Sequence, residues 1–569
     1  MTDPAVHDPI TLEILSNALR SVADETFTAL QKSAYSTNIK ERADHSTALF
    51  DAKGQLMVQS QRSLPVHVGA VTGVVGKLLE KFGHDLHEGD IFVANDPYAA
   101  SATHLPDICA VTPVYNHGRL VGFSGCTAHH ADIGGANVGG SSSGLSEIYQ
   151  EGFRIPLVRL FSRGELDRDL FEMMLLNVRG PELRRGDYNA QFAAIALGAK
   201  RMREICDRFG ADYMAAACEE LISRTRARML HALEQIPPGE YRFSDVIDDD
   251  GMGNCNLPVV VTLRRDASGV SVDFEGTAAQ TRGNINSPWL DTKSTVMYAF
   301  KAVLDPELSN NHGLLSAIDV RAPEGSLVRP NFPAAVTNRS TTSQRIVDAM
   351  LGALAQALPK KVIAATNGAN SGVYIYGQDP RTRRQFYFFE TMGGGFGARP
   401  DKDGKDAVQV HMTNTANTPV EAIEREFPLL VEEYSIVRDS AGAGKFRGGC
   451  GLRRVIRPLV AGCTFGGTGE RFQSHPWGLF GGSEGGCGGF SIREADGNLR
   501  RLPDKVPGVP VGPDEAVVLQ TAGGGGYGAP AERTSEAVSA DIADGKISPT
   551  FAAAHYPQFS LGTAKDGEK

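Results

Sequence analysis

The apolar positions at the start of the chain follow a helical period. After Pro9, residues Ile10, Ile14, Leu15, Ala18, Leu19, Val22, Phe27 and Leu30 recur at helical spacing, with Glu13, Asn17, Arg20, Asp24 and Glu25 on the other side. This predicts an amphipathic helix opened by proline. The pattern then shortens. Ser36 to Asp51 runs into an apolar strand, Asp51 to Gly54 reads as a turn, and residues 55–59 as a second strand. Gly69 to Phe82 is helical again, and Gly89 to Pro97 is a strand ending in a polar turn. Two apolar runs, Ile108–Tyr115 and Leu120–Gly125, flank a turn at Asn116, His117 and Gly118 and predict a β-hairpin.

Helical patterns resume at Asp169–Arg179 and across Asp187 to about Leu233, where Ile236-Pro-Pro-Gly239 ends them. Strands dominate from Tyr241, interrupted by helices near 294–304 and 343–358. Beyond Gly372 the chain is strand-rich, with glycine clusters at 393–397, 442–449, 481–489 and 523–528 that read as tight turns. A short helix from Ser535 to Asp544 and a frayed end close it. No fixed-period repeat supports a solenoid or propeller. The expectation is a multi-domain α+β protein. Residues 1–185 form an N-terminal α+β domain with the hairpin, 186–236 a helical segment, 237–365 a mixed α/β domain, 366–530 a β-rich and glycine-rich domain, and 531–569 a tail.

Composition narrows the class. A chain of 569 residues is too long for one core. With 41% hydrophobic and 22% charged residues and a net charge of −10, it reads as soluble and globular. The absence of a basic run argues against nucleic acid, and the absence of a long apolar run argues against a membrane span. Eight scattered cysteines without a CxxC pair, and no secretory leader pattern, point to a reducing, cytoplasmic setting. Cys109 and Cys126 read as small core residues.

The densest candidate chemistry lies between Asn95 and Gly135, which holds four histidines and three aspartates. His104 and Asp107 precede the first hairpin strand; His129, His130 and Asp132 follow the second. An antiparallel hairpin brings those ends together. Imidazole plus carboxylate suits a first-row divalent metal, manganese, zinc or iron, with open positions left for chemistry. Histidines also cap turns and aspartates also fill Asx-turns, so spacing alone supports either reading. His117 reads as a turn residue, and Asp96, before Pro97, is placed to face the same pocket. Glu41, Arg42 and Asp44 precede a strand and read as a solvated ion cluster. The glycine- and serine-rich stretch Gly134–Gly144 reads as a loop over a ligand or a connector.

The glycine clusters do not make a nucleotide site. The P-loop mimic at 439–446 has Asp439 for its first glycine and Phe446 where Ser or Thr should stand. Gly523, Gly525 and Gly528 match GxGxxG, but Pro530 follows at once and no βαβ unit fits, so they read as a turn. The GxSxG matches at 140–144 and 481–485 lack the strand-turn-helix setting of a nucleophile elbow.

Taken in order, the segments DPITLEILSNAL, NIKERADHSTALFD, LPVHVGAV, NDPY with HLPD, TAHHADIGG, RSTTSQRIVDAMLGAL, NTPVEAIEREFP, GAGKFRGG and TAGGGGYG resemble the B-type subunit of the hydantoinase/oxoprolinase family. The resemblance runs from about Asp8 to Pro530. It implies a subunit of an ATP-dependent hydrolase that opens a cyclic amide: a hydantoin, N-methylhydantoin, 5-oxoproline or a lactam. ATP and magnesium would bind a separate A-type subunit of actin-like fold, in an A2B2 hetero-oligomer. Acetone and acetophenone carboxylases are relatives, so a ketone carboxylase subunit is the alternative, and a scaffold with a structural metal is another. The chain's length is closer to the hydrolase subunits.

By the same resemblance, His104, Asp107 and His129 hold the metal, with His130, Asp132 and Asp96 as supporting or alternative groups. Apart from the resemblance, Asp44, Glu41 and Asp132 are the candidates for general base and Arg42 for steadying an anion; the spacing fixes none of these roles.

Overall fold

The structure is a computed structural model, and it describes residues 8–139, 143–368 and 370–559. Residues 140–142 of the glycine- and serine-rich loop, including the start of the first GxSxG match, lie outside the described residues. Chain contacts group into two compact units, each assembled from non-contiguous segments. One takes the chain up to Glu240, Thr262–Ile346 and His411–Thr418; the other takes Tyr241–Val261, Val347–Val410 and the chain from Pro419 onward.

The first unit is built on a seven-stranded antiparallel sheet. Its strands are β1 (His45–Asp51), β2 (Leu56–Gln59), β3 (Ile91–Ala94), β4 (Asp107–Asn116), β5 (Arg119–His129), β6 (Val158–Ser162) and β7 (Glu165–Leu166), in the order β2-β1-β5-β4-β3-β6-β7. The predicted hairpin is the central β4–β5 pair. His117 (φ 49°) and Gly118 (φ 79°) both adopt the left-handed region, as a two-residue hairpin turn requires. Pairing then runs from Asn116↔Arg119 back to Asp107↔His129.

Both strands are buried almost throughout because helices cover both faces. Cys109 and Val111 face the helix Val68–Phe82, through Ala70, Val71, Val74 and Leu78. Ile108, Ala110 and Cys126 face the helix Pro181–Phe209, through Tyr188, Phe192 and Ile195. The first helix, Pro9–Ser33, is capped by Asp8, whose carboxylate accepts from the amides of Ile10 and Thr11. Its buried stripe is Leu12, Leu15, Leu19, Val22, Phe27 and Leu30. Ile10 and Ile14 instead stand 71% and 47% exposed, because they fall beside that stripe.

Two helices, Pro181–Phe209 and Ala211–Leu233, fill the predicted helical stretch and meet at Gly210 (φ 87°). The helices foreseen at 294 and 343 begin earlier, as Trp289–Leu304 and Arg339–Ala357. Their first turns carry buried polar residues (Asp291 and Thr292; Arg339, Thr341 and Thr342) that hide the apolar period. Among the described residues, no helix is long and apolar enough to cross a membrane.

The second unit holds a four-stranded and a five-stranded sheet. Their inner faces share one core that includes Val373, Phe388, Ile456, Phe465, Phe490 and Leu519. The glycine clusters behave differently from the turns expected of them. Gly523 and Gly526 donate their amides to Gly486 and Ser483 of one neighbouring segment; Gly524 donates to Gly449 and Gly525 to Ala365. Successive amides thus point to three neighbours and the fourth returns to the first, the three-residue turn of a polyproline II-type helix. The carbonyls of residues 524–526 in turn accept from Gly442, Ala398 and Leu479. Backbone packs directly on backbone: a Cβ on Gly395, Gly448, Gly524 or Gly526 would overlap a neighbouring main-chain oxygen. The amides of Gly523–Gly526 are all taken by these carbonyls, so the GxGxxG match offers no donors to a phosphate.

Near the end, helices Ser535–Ala543 and Pro549–His555 pack on Ala443 through Val538, Ala552 and Tyr556. The second of these lies where the pattern suggested fraying.

Candidate metal centre

Asp107 opens β4 and His129 closes β5, and the two are direct cross-strand partners. Directly opposed residues of an antiparallel pair point to the same face, so the carboxylate and the imidazole lie side by side. Thr103–Pro106 curls back before β4, with the Asp107 amide bonded to the His104 carbonyl at 3.2 Å. This folds His104 over Asp107, with Nε2 3.0 Å from Oδ2. The His104 and His129 ring centroids are 5.2 Å apart. One ligand atom from each of the three residues lies within 4.8 Å of the others. All three side chains are buried.

Each candidate ligand is held from behind. His104 Nδ1 bonds to the Thr337 carbonyl at 2.8 Å. A carbonyl only accepts, so Nδ1 carries a proton, which leaves Nε2 as the nitrogen for a metal ion. Asp107 Oδ2 accepts from Arg339 Nη2 at 2.7 Å and Thr103 Oγ1 at 3.1 Å. Asn38 donates to the His129 carbonyl at 2.6 Å and lies 3.1 Å from its Nδ1, while Arg42 donates to the Asn38 side-chain oxygen. The other oxygen, Asp107 Oδ1, is buried and receives no hydrogen bond. It faces His67 Nε2 at 3.5 Å, and Asp44 Oδ1 lies 3.9 Å from that same nitrogen. Ser46 Oγ holds His67 from behind, 3.0 Å from Nδ1.

Charge follows from burial and neighbours. Burial works against an ionised Asp107, but His104 and His67 hold its carboxyl well below the usual range. Burial holds His129 well below its ordinary value, so this ring is neutral. Burial raises Asp44, with Arg42 acting against it. The set is therefore two imidazole nitrogens and one carboxylate with a bare, buried oxygen. That fits a divalent first-row ion with positions left open, and it does not select manganese, zinc or iron.

Several of the residues singled out by sequence lie elsewhere. His130 follows His129 and so points to the opposite face. Its Nε2 meets Gln191 Oε1 at 2.9 Å, its ring packs on Tyr188, and burial lowers it to about 4. Asp132 organises the loop after β5 by accepting from the amides of Gly134, Gly139 and Arg179. Asp96 forms an Asx-turn with Tyr98 and Ala99 and pairs with Arg154. Glu41 caps the short helix Thr37–Lys40 and is half-buried. Asp44 and Arg42 belong to the cluster and are buried, in contrast to the solvated reading.

His67, Arg339, Asn38 and Thr337 join the cluster without a distinct signal. The polar start of the helix at Arg339 was the one clue, since a first turn rich in hydroxyls and arginine has no reason to be buried unless it lines a polar site.

Comparison with known proteins places this arrangement. The family model described as Hydantoinase B/oxoprolinase matches residues 8–530. The chain is 34% identical to the B-type subunit of a putative D-/L-hydantoinase of Pseudomonas sp. (strain NS671), over 98% of this chain and 96% of that one. The crystal structure of an ATP-dependent caprolactamase from Pseudomonas jessenii superposes with a TM-score of 0.91 at 29% identity, covering 99% of this chain and 97% of that one. A nucleotide-free acetone carboxylase shares the fold, with a TM-score of 0.89 at 19% identity over 97% of this chain and 79% of that one. The match spans nearly the whole chain and takes in every element of the cluster: the chain belongs to the Hydantoinase B/oxoprolinase family.

Proposed function

We propose that this chain is the metal-bearing subunit of an ATP-dependent cyclic amide hydrolase whose ATP site lies on a separate A-type subunit. The observation that carries the reading is the buried His104–Asp107–His129 cluster with its bare carboxylate oxygen, in a chain that aligns over nearly its whole length with a B-type hydantoinase subunit. The substrate class is a hydantoin, 5-oxoproline or lactam ring. The assembly is an A2B2 hetero-oligomer in the cytoplasm.

The chemistry divides between the subunits. The partner transfers the γ-phosphoryl group of ATP to the amide oxygen, and ADP leaves. Water adds to the activated carbon, the carbon–nitrogen bond breaks, and the nitrogen departs as the amine; a second water releases phosphate. His104, Asp107 and His129 would hold a divalent ion, which would supply positive charge to ease deprotonation of water. Asp44 is the carboxylate placed to take that proton, since it sits in the cluster while Glu41 and Asp132 do not. Arg42, buried beside Asn38 and Asp44, balances the negative charge that develops. Arg339 donates to Asp107 Oδ2 and holds it aligned.

The test is a panel of hydantoin, N-methylhydantoin, 5-oxoproline and caprolactam, assayed with the co-expressed partner. The expected result is ring-opened product and ADP in equal amounts, with neither formed when partner or ATP is omitted. Turnover by the isolated chain without ATP would overturn the reading. ATP consumption that requires bicarbonate and a ketone, and joins the two, would move the chain to the carboxylase branch.

A further inference from the structure

A second buried carboxylate stands behind the cluster. Glu151 lies at the end of the short helix Ile148–Glu151 and is fully buried. One of its oxygens, Oε1, accepts from two successive amides, Val336 at 2.8 Å and Thr337 at 2.7 Å. The carbonyl of that same Thr337 receives His104 Nδ1. The Glu151 side chain and the His104 ring therefore grip the same residue from opposite ends of its backbone. No cation pairs with Glu151 among the described contacts, and its other oxygen is buried and unpartnered. A carboxylate is costly to bury without a cation, and burial pushes Glu151 up to about 8. Helix formation alone does not ask for that cost.

The surrounding contacts hold the two segments together. Ile148 donates its amide to Pro333 at 3.0 Å, and Glu147 bridges to Ala334. Tyr98 donates its hydroxyl to the Ala334 carbonyl at 2.7 Å. These bonds fix residues 333–334. Further along, Asn286 Nδ2 donates to the Ala335 carbonyl at 2.9 Å and the Asn338 amide to the Asn284 carbonyl at 2.8 Å; between these points the Glu151 carboxyl holds the Val336 and Thr337 amides, and so helps to set where the Thr337 carbonyl points.

We infer that Glu151 is a positioning residue for the metal centre, which acts through the Val336–Thr337 backbone to hold His104 in the tautomer and orientation that present Nε2 to a metal ion. The inference rests on the reading of His104, Asp107 and His129 as ligands. A ligating imidazole needs an acceptor on its other nitrogen, and loss of such an outer partner weakens metal binding by about 10- to 100-fold. Here the acceptor is a main-chain carbonyl, so its placement falls to what holds residues 336–338, Glu151 on one side of it and Asn284 on the other.

The experiment measures Co(II) affinity of the full chain by chelator competition, with the visible absorption bands as a second readout. Variants are Glu151→Gln, Glu151→Leu, His104→Ala and the Glu151→Leu/His104→Ala double variant. Glutamine keeps an acceptor for both amides, so Glu151→Gln is expected to bind as the wild type does. Glu151→Leu is expected to bind roughly 10-fold or more weakly, with altered absorption bands. In the His104→Ala background, adding Glu151→Leu is expected to change nothing further, since the path ends at His104.

If Glu151→Leu loses thermal stability but keeps wild-type affinity and spectrum, the side chain only holds the fold and the inference fails. If His104→Ala itself binds Co(II) as the wild type does, the ligand reading fails instead. Should Glu151→Leu not fold, Glu151→Asp serves: its shorter reach is expected to weaken Co(II) binding, and unchanged affinity there also overturns the inference.

Discussion

Asp107→Asn is expected to leave a folded chain that retains no metal and shows no turnover with its partner. Asp107 is the one anion among the three candidate ligands, and its Oδ1 is buried without a hydrogen bond. An amide there is neutral and binds a divalent cation far more weakly than a carboxylate. The loss in affinity is expected to exceed the roughly 100-fold that an outer partner is worth. The same change withdraws the charge opposite Arg339, whose next carboxylate, Asp291, is 3.9 Å away.

Leaving a buried guanidinium without its partner costs about 3 kcal/mol, somewhat less where a hydrogen bond survives. Metal analysis by mass spectrometry and thermal denaturation, wild type beside variant, read the two effects separately. A full equivalent of metal in Asp107→Asn would remove the centre from the proposed function.

The second large effect lies in the other unit. Gly524→Ala is expected to give a chain that fails to fold or loses more than about 3 kcal/mol, the upper end of what overpacking costs. The reason is where the new methyl would go: its Cβ would overlap the Phe396 carbonyl, and the nearest atoms are all main chain. A crowded side chain can change rotamer, but a backbone segment hydrogen-bonded on several sides has nowhere to move. Gly76→Ala is the matched control. Gly76 lies inside the helix Val68–Phe82 with open space around a built Cβ, so alanine there is expected to be neutral or to stabilise by about 0.5–1 kcal/mol. Chemical denaturation of both variants tests the pair. A Gly524→Ala protein as stable as the wild type would mean the glycine segments are not tightly packed.

Why one of these sites was legible in the sequence and the other was not follows from chain separation. The hairpin and its ligands are local. Two apolar runs around a two-residue turn determine the pairing, and the pairing sets Asp107 opposite His129. The face each side chain takes needed the register as well: His129 and His130 are equal candidates by type, yet alternation sends one to the cluster and the other to Gln191. His67, Arg339 and Thr337 reach the site from distant segments, and a single histidine or arginine carries no record of its partner.

The glycine clusters failed for a different reason. Glycine marks a turn when a positive φ is needed, and equally marks a place where no side chain fits. The residues at 523–526 are of the second kind, with φ outside the positive region. A three-residue backbone period leaves no pattern of side chains to find.

The glycine segments also bear on how this protein is made. Gly525 completes its hydrogen bond with Ala365, and its neighbours bond to Gly449, Ser483 and Gly486, so the innermost strand of the bundle is the last of these segments to leave the ribosome. The earlier segments bond in part to one another, as Gly449 does to Phe396 and Ser483 to Ala443, but the carbonyls of Ala365, Gly449, Ser483 and Gly486 wait for a partner not yet synthesised. Contacts of such sequence separation form slowly and leave sticky intermediates exposed. The glycine bundle of the second unit thus closes only once residues 523–526 have emerged, and its yield in a cell is expected to depend on chaperone supply.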